Sequence, residues 1–264
     1  MPVLILLAGF MVAGFAANQT LAAVDLDSTL AYRDAFLPPG VPSIAIRTDE
    51  TAMLWNPAGL AFSGTYYLGY AWKGTYYKQH REISTHFFLT KIGGFGIGYA
   101  RDNYSRGTKN QFLISLAPPI SRSFSIGVTN KWKGAFNLDA GAWLKFGNMG
   151  TMAFVWRDLR ETDRDRKAYE AGVAIFPSRR AALHFDVIIE DNSWRKGTTL
   201  GGGLYAGLSQ SFSMGGSYFR DPDGNGIWRV GLKLDMPGNV AEGEFSRYSD
   251  DYQTYGIRMT SRNP

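Results

Sequence analysis

The sequence contains no cysteine. That absence removes disulfides, thiolate metal sites and cysteine nucleophiles, and it sits well with an oxidising compartment, where a stray thiol is a hazard. Histidine is scarce, with only His80, His86 and His184. Charged residues occupy 19% of the 264 positions and mean hydropathy is −0.18, too polar for a bundle of membrane helices. After residue 23 no stretch approaches the ~20 consecutive apolar residues that a spanning helix requires. A transmembrane barrel escapes that test, because only every second residue of its strands faces lipid. The formal net charge of +5 is mild and does not point to a nucleic-acid partner.

What the chain does have begins with an uncharged apolar run, "VLILLAGFMVAGFAA", at residues 3–17. Small residues follow, with Gly14-Phe15-Ala16 or Thr20-Leu21-Ala22 as cleavage sites. Residues 1–23 therefore read as a secretory signal peptide, although the customary N-terminal Lys or Arg is missing. The expectation is an exported protein from which this segment is cleaved.

From Gly64 onward apolar residues recur with period two. "FNLDAGAWLKF" places Phe136, Leu138, Ala140, Ala142, Leu144 and Phe146 on one face. "AALHFDVIIE" sets Leu183, Phe185, Val187 and Ile189 against His184, Asp186 and Glu190, and "GFGIGYA" alternates Phe95, Ile97 and Tyr99 with glycine. The pattern gives about fourteen segments of near ten residues, an even number and a length suited to tilted membrane strands. Their expected spans are 64–73, 82–92, 94–101, 109–117, 122–133, 136–146, 150–158, 167–177, 181–190, 198–207, 210–219, 226–236, 240–248 and 250–261.

Alternate connections are short and turn-like, such as "GG" near 93 and "PGN" at 237, while most of the others are longer and charged. Short turns on one rim and longer loops on the other are the arrangement of an outer-membrane barrel. A soluble all-β protein shows the same period two. Fourteen strands enclose too wide an interior for one apolar face to fill, however. Aromatics also cluster near strand ends (Tyr66, Trp72, Trp132, Phe136, Phe146, Trp156, Tyr169, Phe176, Tyr218, Trp228), as interfacial girdles do. The opposing face mixes charge with glycine, which suits a wet or plugged lumen. The fold class expected is an all-β, antiparallel transmembrane β-barrel of about 14 strands over residues 64–264, behind a short N-terminal helical segment at 24–63.

That segment carries "RTDETAMLW", which reads as one short helix from Arg47 to Trp55. Thr48 or Asp49 is placed to cap it, and Glu50 suits the positive end of its dipole. "NPAGLAF" follows, and Pro57 pushes Asn56 out of the α region, ending the helix there. A signal peptide, then "TDETAMLWNPAGLAF", then about fourteen strands resembles the long-chain fatty-acid transporter (FadL) superfamily of outer-membrane proteins, which includes the PorV-like proteins of a bacterial secretion system. The residues that carry the resemblance are Asp49, Glu50, Ala52, Asn56, Pro57, Ala58 and Gly59. It implies that the segment lies inside the barrel as a hatch, with Leu54 and Trp55 among its apolar contacts. It also implies passive movement of small hydrophobic molecules across the bacterial outer membrane.

The alternative is a non-conducting anchor or scaffold for a secretion machine or a fused C-terminal domain. The stretch from Pro38 to Phe62 has a weaker likeness to the N-terminal barrel-like region of long signal-peptide-peptidase-A-like proteins. The outer loops are shorter than those of the superfamily's transporters, and "YGIRMTSRNP" lacks a terminal aromatic, which leaves room for a continuation. Implied partners are outer-membrane lipids and lipopolysaccharide, a hydrophobic small molecule, and a periplasmic or secretion partner.

No catalytic site, metal site or cofactor is expected. His86 shares a face with Ser84 and Glu82, and His184 with Asp186, but residues two apart on a strand are ordinary neighbours and no oxyanion hole is visible. "DPDGNG" from Asp221 mimics half a calcium loop. Leu232 stands where the bidentate Glu belongs, so a hairpin turn is the reading. "RDLRETDRDRK" from Arg157 reads as a solvated loop. "GGG" at Gly201 to Gly203 reads as a bend or a close approach by the hatch.

Overall fold

Every expected strand is present, and together they close. The computed structural model describes residues 43–62, 66–77, 80–104, 107–132, 134, 136–160, 167–191, 196–222, 224–248 and 252–263. The signal-peptide reading at 1–23, and the part of the N-terminal segment before residue 43, lie outside the described residues.

The strands are β1 (Tyr66–Tyr77), β2 (His80–Ile92), β3 (Phe95–Tyr104), β4 (Gly107–Leu116), β5 (Phe124–Trp132), β6 (Phe136–Phe146) and β7 (Gly150–Arg157). They continue as β8 (Ala168–Ser178), β9 (Ala181–Asp191), β10 (Lys196–Gly207), β11 (Phe212–Arg220), β12 (Gly226–Met236), β13 (Asn239–Tyr248) and β14 (Tyr252–Asn263). Each pairs antiparallel with the next, and β1 pairs with β14, from Tyr66↔Asn263 to Tyr77↔Tyr252. Closure removes the two exposed edges that an open sheet would offer for aggregation. β4 and β5 share the shortest register, Phe112–Leu116 against Val128–Trp132.

The alternation resolves into an apolar outside and a polar inside. Leu183, Phe185 and Ile189 of β9 are exposed, while His184, Asp186 and Glu190 are buried. The same holds for Ile126 against Ser125 on β5, and for Leu232 against Arg229 on β12. A surface carrying this many exposed Leu, Ile, Phe and Trp side chains is stable against lipid and not against water.

On one rim the turns are short. Gly93, Gly147 and Gly238 take φ of 57°, 61° and 71° there, left-handed values that glycine adopts without strain. On the opposite rim the strands run further than the sequence suggests. Gly74–Tyr77 belongs to β1, and residues expected in a loop near 102–109 extend β3 and β4. The loops shrink because ladder hydrogen bonds continue past the apolar band. Near that rim Ile188, Phe219, Ile227, Tyr248 and Tyr252 turn inward and pack with Tyr77 into an apolar cluster.

Two aromatics expected together in the girdles part company. Trp156 is exposed and stacks near Tyr169 at 5.4 Å, but Phe176 shares the inward parity of Glu170 and packs against the interior apolar cluster. Among the described residues, the triple glycine of β10 is approached by wall side chains and not by the segment from residue 43 on. A Cβ at Gly201 would collide with the Phe219 ring, and one at Gly203 would lie 2.6 Å from Nε2 of His184.

Candidate functional site

Residues 43–62 run through the barrel interior. Helix α1 is a single turn, Ala52–Trp55, shorter than the expected Arg47–Trp55. The acidic residues that were expected to open it are drawn elsewhere. Asp49 accepts from the Thr51 N–H at 3.0 Å and from the Thr51 hydroxyl, and that local turn replaces the first helical turn. Asn56 is extended (φ −152°, ψ 107°), as a residue before proline must be. A 3₁₀ helix, Pro57–Phe62, follows instead of a bare corner. Asn56 organises the junction: its Oδ1 accepts from the Ala58 N–H at 3.1 Å, and its Nδ2 donates to the Ala142 carbonyl of β6 at 3.2 Å.

The interior face of the barrel makes room for this segment with glycine. A Cβ at Gly127 of β5 would sit 2.5 Å from the Ala58 nitrogen. Cβ atoms at Gly69 of β1 and Gly141 of β6 would strike the Glu50 and Asn56 side chains. Gly96 and Gly98 of β3 face Met53. The apolar side chains Ile44, Met53, Leu54, Trp55 and Leu60 are buried against Phe87, Leu89, Leu113 and Val155. Each such burial stabilises by about 1.5–3 kcal/mol relative to exposure. Trp143 of β6 turns inward and packs beside Gly59 and Phe62, its ring 5.6 Å from that of Phe62.

Charged and polar wall side chains hold the segment along its length. Ser43 donates to Asp186 of β9 at 3.1 Å, and Thr151 of β7 donates to the Ala45 carbonyl at 2.5 Å. Lys91 of β2 reaches the Leu60 and Thr48 carbonyls at 2.5 and 3.2 Å. Thr129 and Ser125 of β5 donate to the Met53 and Ala58 carbonyls at 2.8 and 2.7 Å. Arg157 of β7 donates to the carbonyls of Leu54 (2.7 Å) and Trp55 (2.5 Å), so the end of α1 is capped by the wall.

The acidic pair meets the closing strand. Arg258 of β14 lies 2.8 Å from Asp49 and 3.3 Å from Glu50, and Thr260 donates to Glu50 at 2.6 Å. Arg47 bridges Asp49 at 3.1 Å and Glu242 of β13 at 3.3 Å. Burial pushes the Glu50 carboxyl up to about 7, with repulsion from Asp49 adding to it and Arg258 opposing it. Burial acts on Asp49 too, but Arg258, Arg47 and the Thr51 bond outweigh it and hold that carboxyl well below the usual range. Two neighbouring carboxyls are thus driven apart.

Among the residues singled out from sequence, Asp49, Glu50, Leu54, Trp55, Asn56, Pro57, Ala58 and Gly59 all lie inside the lumen and are buried except for part of Asp49. Arg157, read as the start of a solvated loop, is instead a buried member of β7. It pairs with Asp139 at 3.1 Å and Glu170 at 2.8 Å, and Lys131 also reaches Asp139. Arg258, Glu242 and Lys91 drew no notice in the sequence. Their signal was parity, since each occupies an inward position where a soluble protein would place an apolar residue.

His184 and Asp186 join at 2.8 Å on the inward face, with Ser43 on the other carboxylate oxygen. The Asp221 turn engages its own carboxylate with the Asn225 N–H at 2.8 Å, as a hairpin turn does.

Inward glycines on adjoining strands (Gly215 and Gly231, in register) leave a small recess of about 30 Å³ in the wall. His184, Tyr205, Ser217, Arg229, Glu242 and Glu244 line it.

No protein-family profile matches the chain, and no curated protein matches it in sequence. Solved structures match in fold. The toluene transporter TbuX of Ralstonia pickettii aligns with a TM-score of 0.56 at 10% identity, covering 87% of this chain and 100% of that one. A FadL homologue of Pseudomonas aeruginosa aligns with a TM-score of 0.55 at 12% identity, covering 83% and 95%. The outer membrane protein Omp33 of Acinetobacter baumannii aligns at 0.54 and 9%, covering 77% and 100%. The chain has the closed antiparallel barrel fold of outer-membrane proteins, FadL-like barrels among them.

Proposed function

We propose that this chain is a bacterial outer-membrane barrel for passive passage of small hydrophobic molecules, with residues 43–62 as its hatch. One observation carries the reading: a segment with an apolar face, seated in wall glycines and against Phe87, Leu89, Leu113 and Val155, fills a lumen whose remaining wall carries buried charges. Between the Tyr77–Tyr252 cluster near one rim and the Met53–Leu60 cluster stand Lys73, Glu170, Glu244 and Arg258. An apolar solute gains nothing by entering that belt while the segment is docked. Passage requires the segment to shift and offer its apolar face. The fold shared with a toluene transporter and a FadL homologue supports a hydrophobic cargo. The reading contains no catalytic step.

Proteoliposomes loaded with a solvatochromic dye test it: toluene added outside should reach the interior faster through protein-containing vesicles than through bare ones. Equal rates would remove the transport reading. The dense anchoring of the hatch, from β2, β5, β6, β7, β9, β13 and β14, favours a second reading. In it the barrel is a closed scaffold for a secretion partner. Unaltered permeability after hatch removal would favour that scaffold.

A further inference from the structure

The lipid-facing surface of β1–β4 changes from an aromatic row to polar rows over two residues of strand. A row of aromatics runs across these strands in register, Tyr70↔Phe88↔Tyr99↔Phe112. Ring centroids along it are 5.0, 6.3 and 5.2 Å apart. The next row toward the rim away from the short turns is Trp72↔His86↔Arg101↔Asn110, and the one beyond is Gly74↔Ser84↔Asn103↔Thr108. The aromatic row runs on in register into Trp132 of β5, opposite Phe112. The two rows above it on β2–β4 carry a cation, an imidazole, hydroxyls and amides, with no carboxylate in either.

The hydrogen bonding within these rows is one-sided. Asn103 Oδ1 accepts from Arg101 Nε at 3.2 Å and from Thr108 at 3.1 Å. Asn110 Oδ1 accepts from the Tyr99 hydroxyl at 2.8 Å. Ser84 Oγ accepts from Trp72 Nε1 at 2.8 Å, and His86 lies between Ser84 (3.4 Å) and the Tyr70 hydroxyl (2.9 Å). The acceptor oxygens are thus occupied by protein donors. The two terminal guanidinium nitrogens of Arg101 make no hydrogen bond or ion pair among the described residues, and exposed Asn110 bonds there through its Oδ1 alone, leaving its N–H₂ unused. Unused donors, one of them cationic, above an aromatic shelf match an anionic oxygen-rich headgroup with acyl chains beneath it.

We infer that this patch is a docking site for a phosphate-bearing lipid of the surrounding leaflet. Arg101 and Asn110 hold the phosphate oxygens, and the Tyr70–Phe112 row receives the chains. The source is committed to lipid and not free phosphate because the aromatic row continues the site into the apolar band. The site does not depend on the transport reading.

Native mass spectrometry of the purified barrel in neutral detergent tests it, with dioleoyl phosphatidic acid and dioleoylglycerol as matched probes. One phosphatidic acid should bind at least about ten-fold more tightly than the diacylglycerol. Arg101→Gln should remove about that factor, the scale of one charge-assisted contact. Arg247→Gln, which changes an exposed outward arginine outside the patch, should leave it unchanged, and excess inorganic phosphate should not displace the lipid. Should Arg101→Gln fail the heat-shift test of folding, Asn110→Asp reads the same site, since its carboxylate repels the phosphate. Equal binding of the two lipids, an equal loss in Arg247→Gln, or displacement by inorganic phosphate would each overturn the site. Fatty acid released from phosphatidic acid, and no longer released by Ser84→Ala, would replace it with a hydrolytic centre.

Discussion

Arg157 and Trp55 meet inside the barrel, where the guanidinium Nη2 donates to the Trp55 carbonyl at 2.5 Å. The same side chain pairs with Glu170 and Asp139. One wall residue therefore both neutralises two buried carboxylates and caps the one-turn helix of the segment inside the barrel.

Arg157→Met removes the cap and leaves Glu170 buried without that cation. Breaking one partner of a buried ion pair costs about 3–5 kcal/mol, more than an exposed pair returns. Denaturant titration of the refolded protein in vesicles should show a loss of that size. A change below about 1 kcal/mol would mean that water or a rearranged Lys131 compensates.

Gly127 tests whether the hatch and barrel separate. A valine there drives its side chain into the Pro57–Ala58 backbone, 2.5 Å from the nearest atoms, while its φ/ψ and ladder bonds suit a β-branched residue. Gly127→Val should expel the hatch from a barrel that still folds. The readouts are higher single-channel conductance in planar bilayers and a preserved heat-shifted band on gels. Unchanged conductance with an intact barrel would show that the hatch does not occlude the pore.

Glu50 makes docking sensitive to pH. Its carboxyl titrates near 7 when docked against an ordinary value of 4.5, so the docked state binds the proton more tightly. The stabilisation from that proton is present below about 4.5 and is lost as pH rises through 7. Asp49 acts in the opposite sense, and only at pH below its ordinary 3.8. Protease accessibility of the hatch should rise between pH 5 and 8, roughly the range set by the shift. Glu50→Gln should flatten that profile. A wild-type profile already flat would mean that Arg258 keeps Glu50 ionised throughout.

The two faces of the wall should answer differently to the same charge. Val187 faces outward beside exposed Phe185 and Ile189, whereas Ser217 faces the recess near Glu242 and Glu244. Val187→Arg should cost about 2–4 kcal/mol in folding into vesicles, and Ser217→Arg much less. Comparable costs at the two sites would contradict the placement of Val187 in lipid.

Much of this molecule is written locally. Period two determined the strands, and β6 and β12 match their expected ends residue for residue, because Phe136–Phe146 and Gly226–Met236 alternate without interruption between turn residues. Asn56-Pro57 determined where the helix stops, since that restriction is steric and confined to neighbours. The helix start misled, because Asp49 had two uses and the sequence cannot say that Arg258, 209 residues away, would claim its carboxylate.

Other features belonged to tertiary structure alone. Alternation by itself separates two faces without a sign; the strand number, the aromatic strand ends and the charged, glycine-rich face pointed the apolar side to lipid, and closure encloses the charged side accordingly. Arg157 looked like loop because its neighbours in sequence are charged, while its partners, Asp139, Glu170 and the Trp55 carbonyl, come from three other parts of the chain. What the wall glycines make room for is not local either: Gly127 lies against the Pro57–Ala58 backbone and Gly141 against the Asn56 side chain. The polar rows on β2–β4 arise from register, a relation between strands that hydrogen bonding across the sheet sets and no single strand contains.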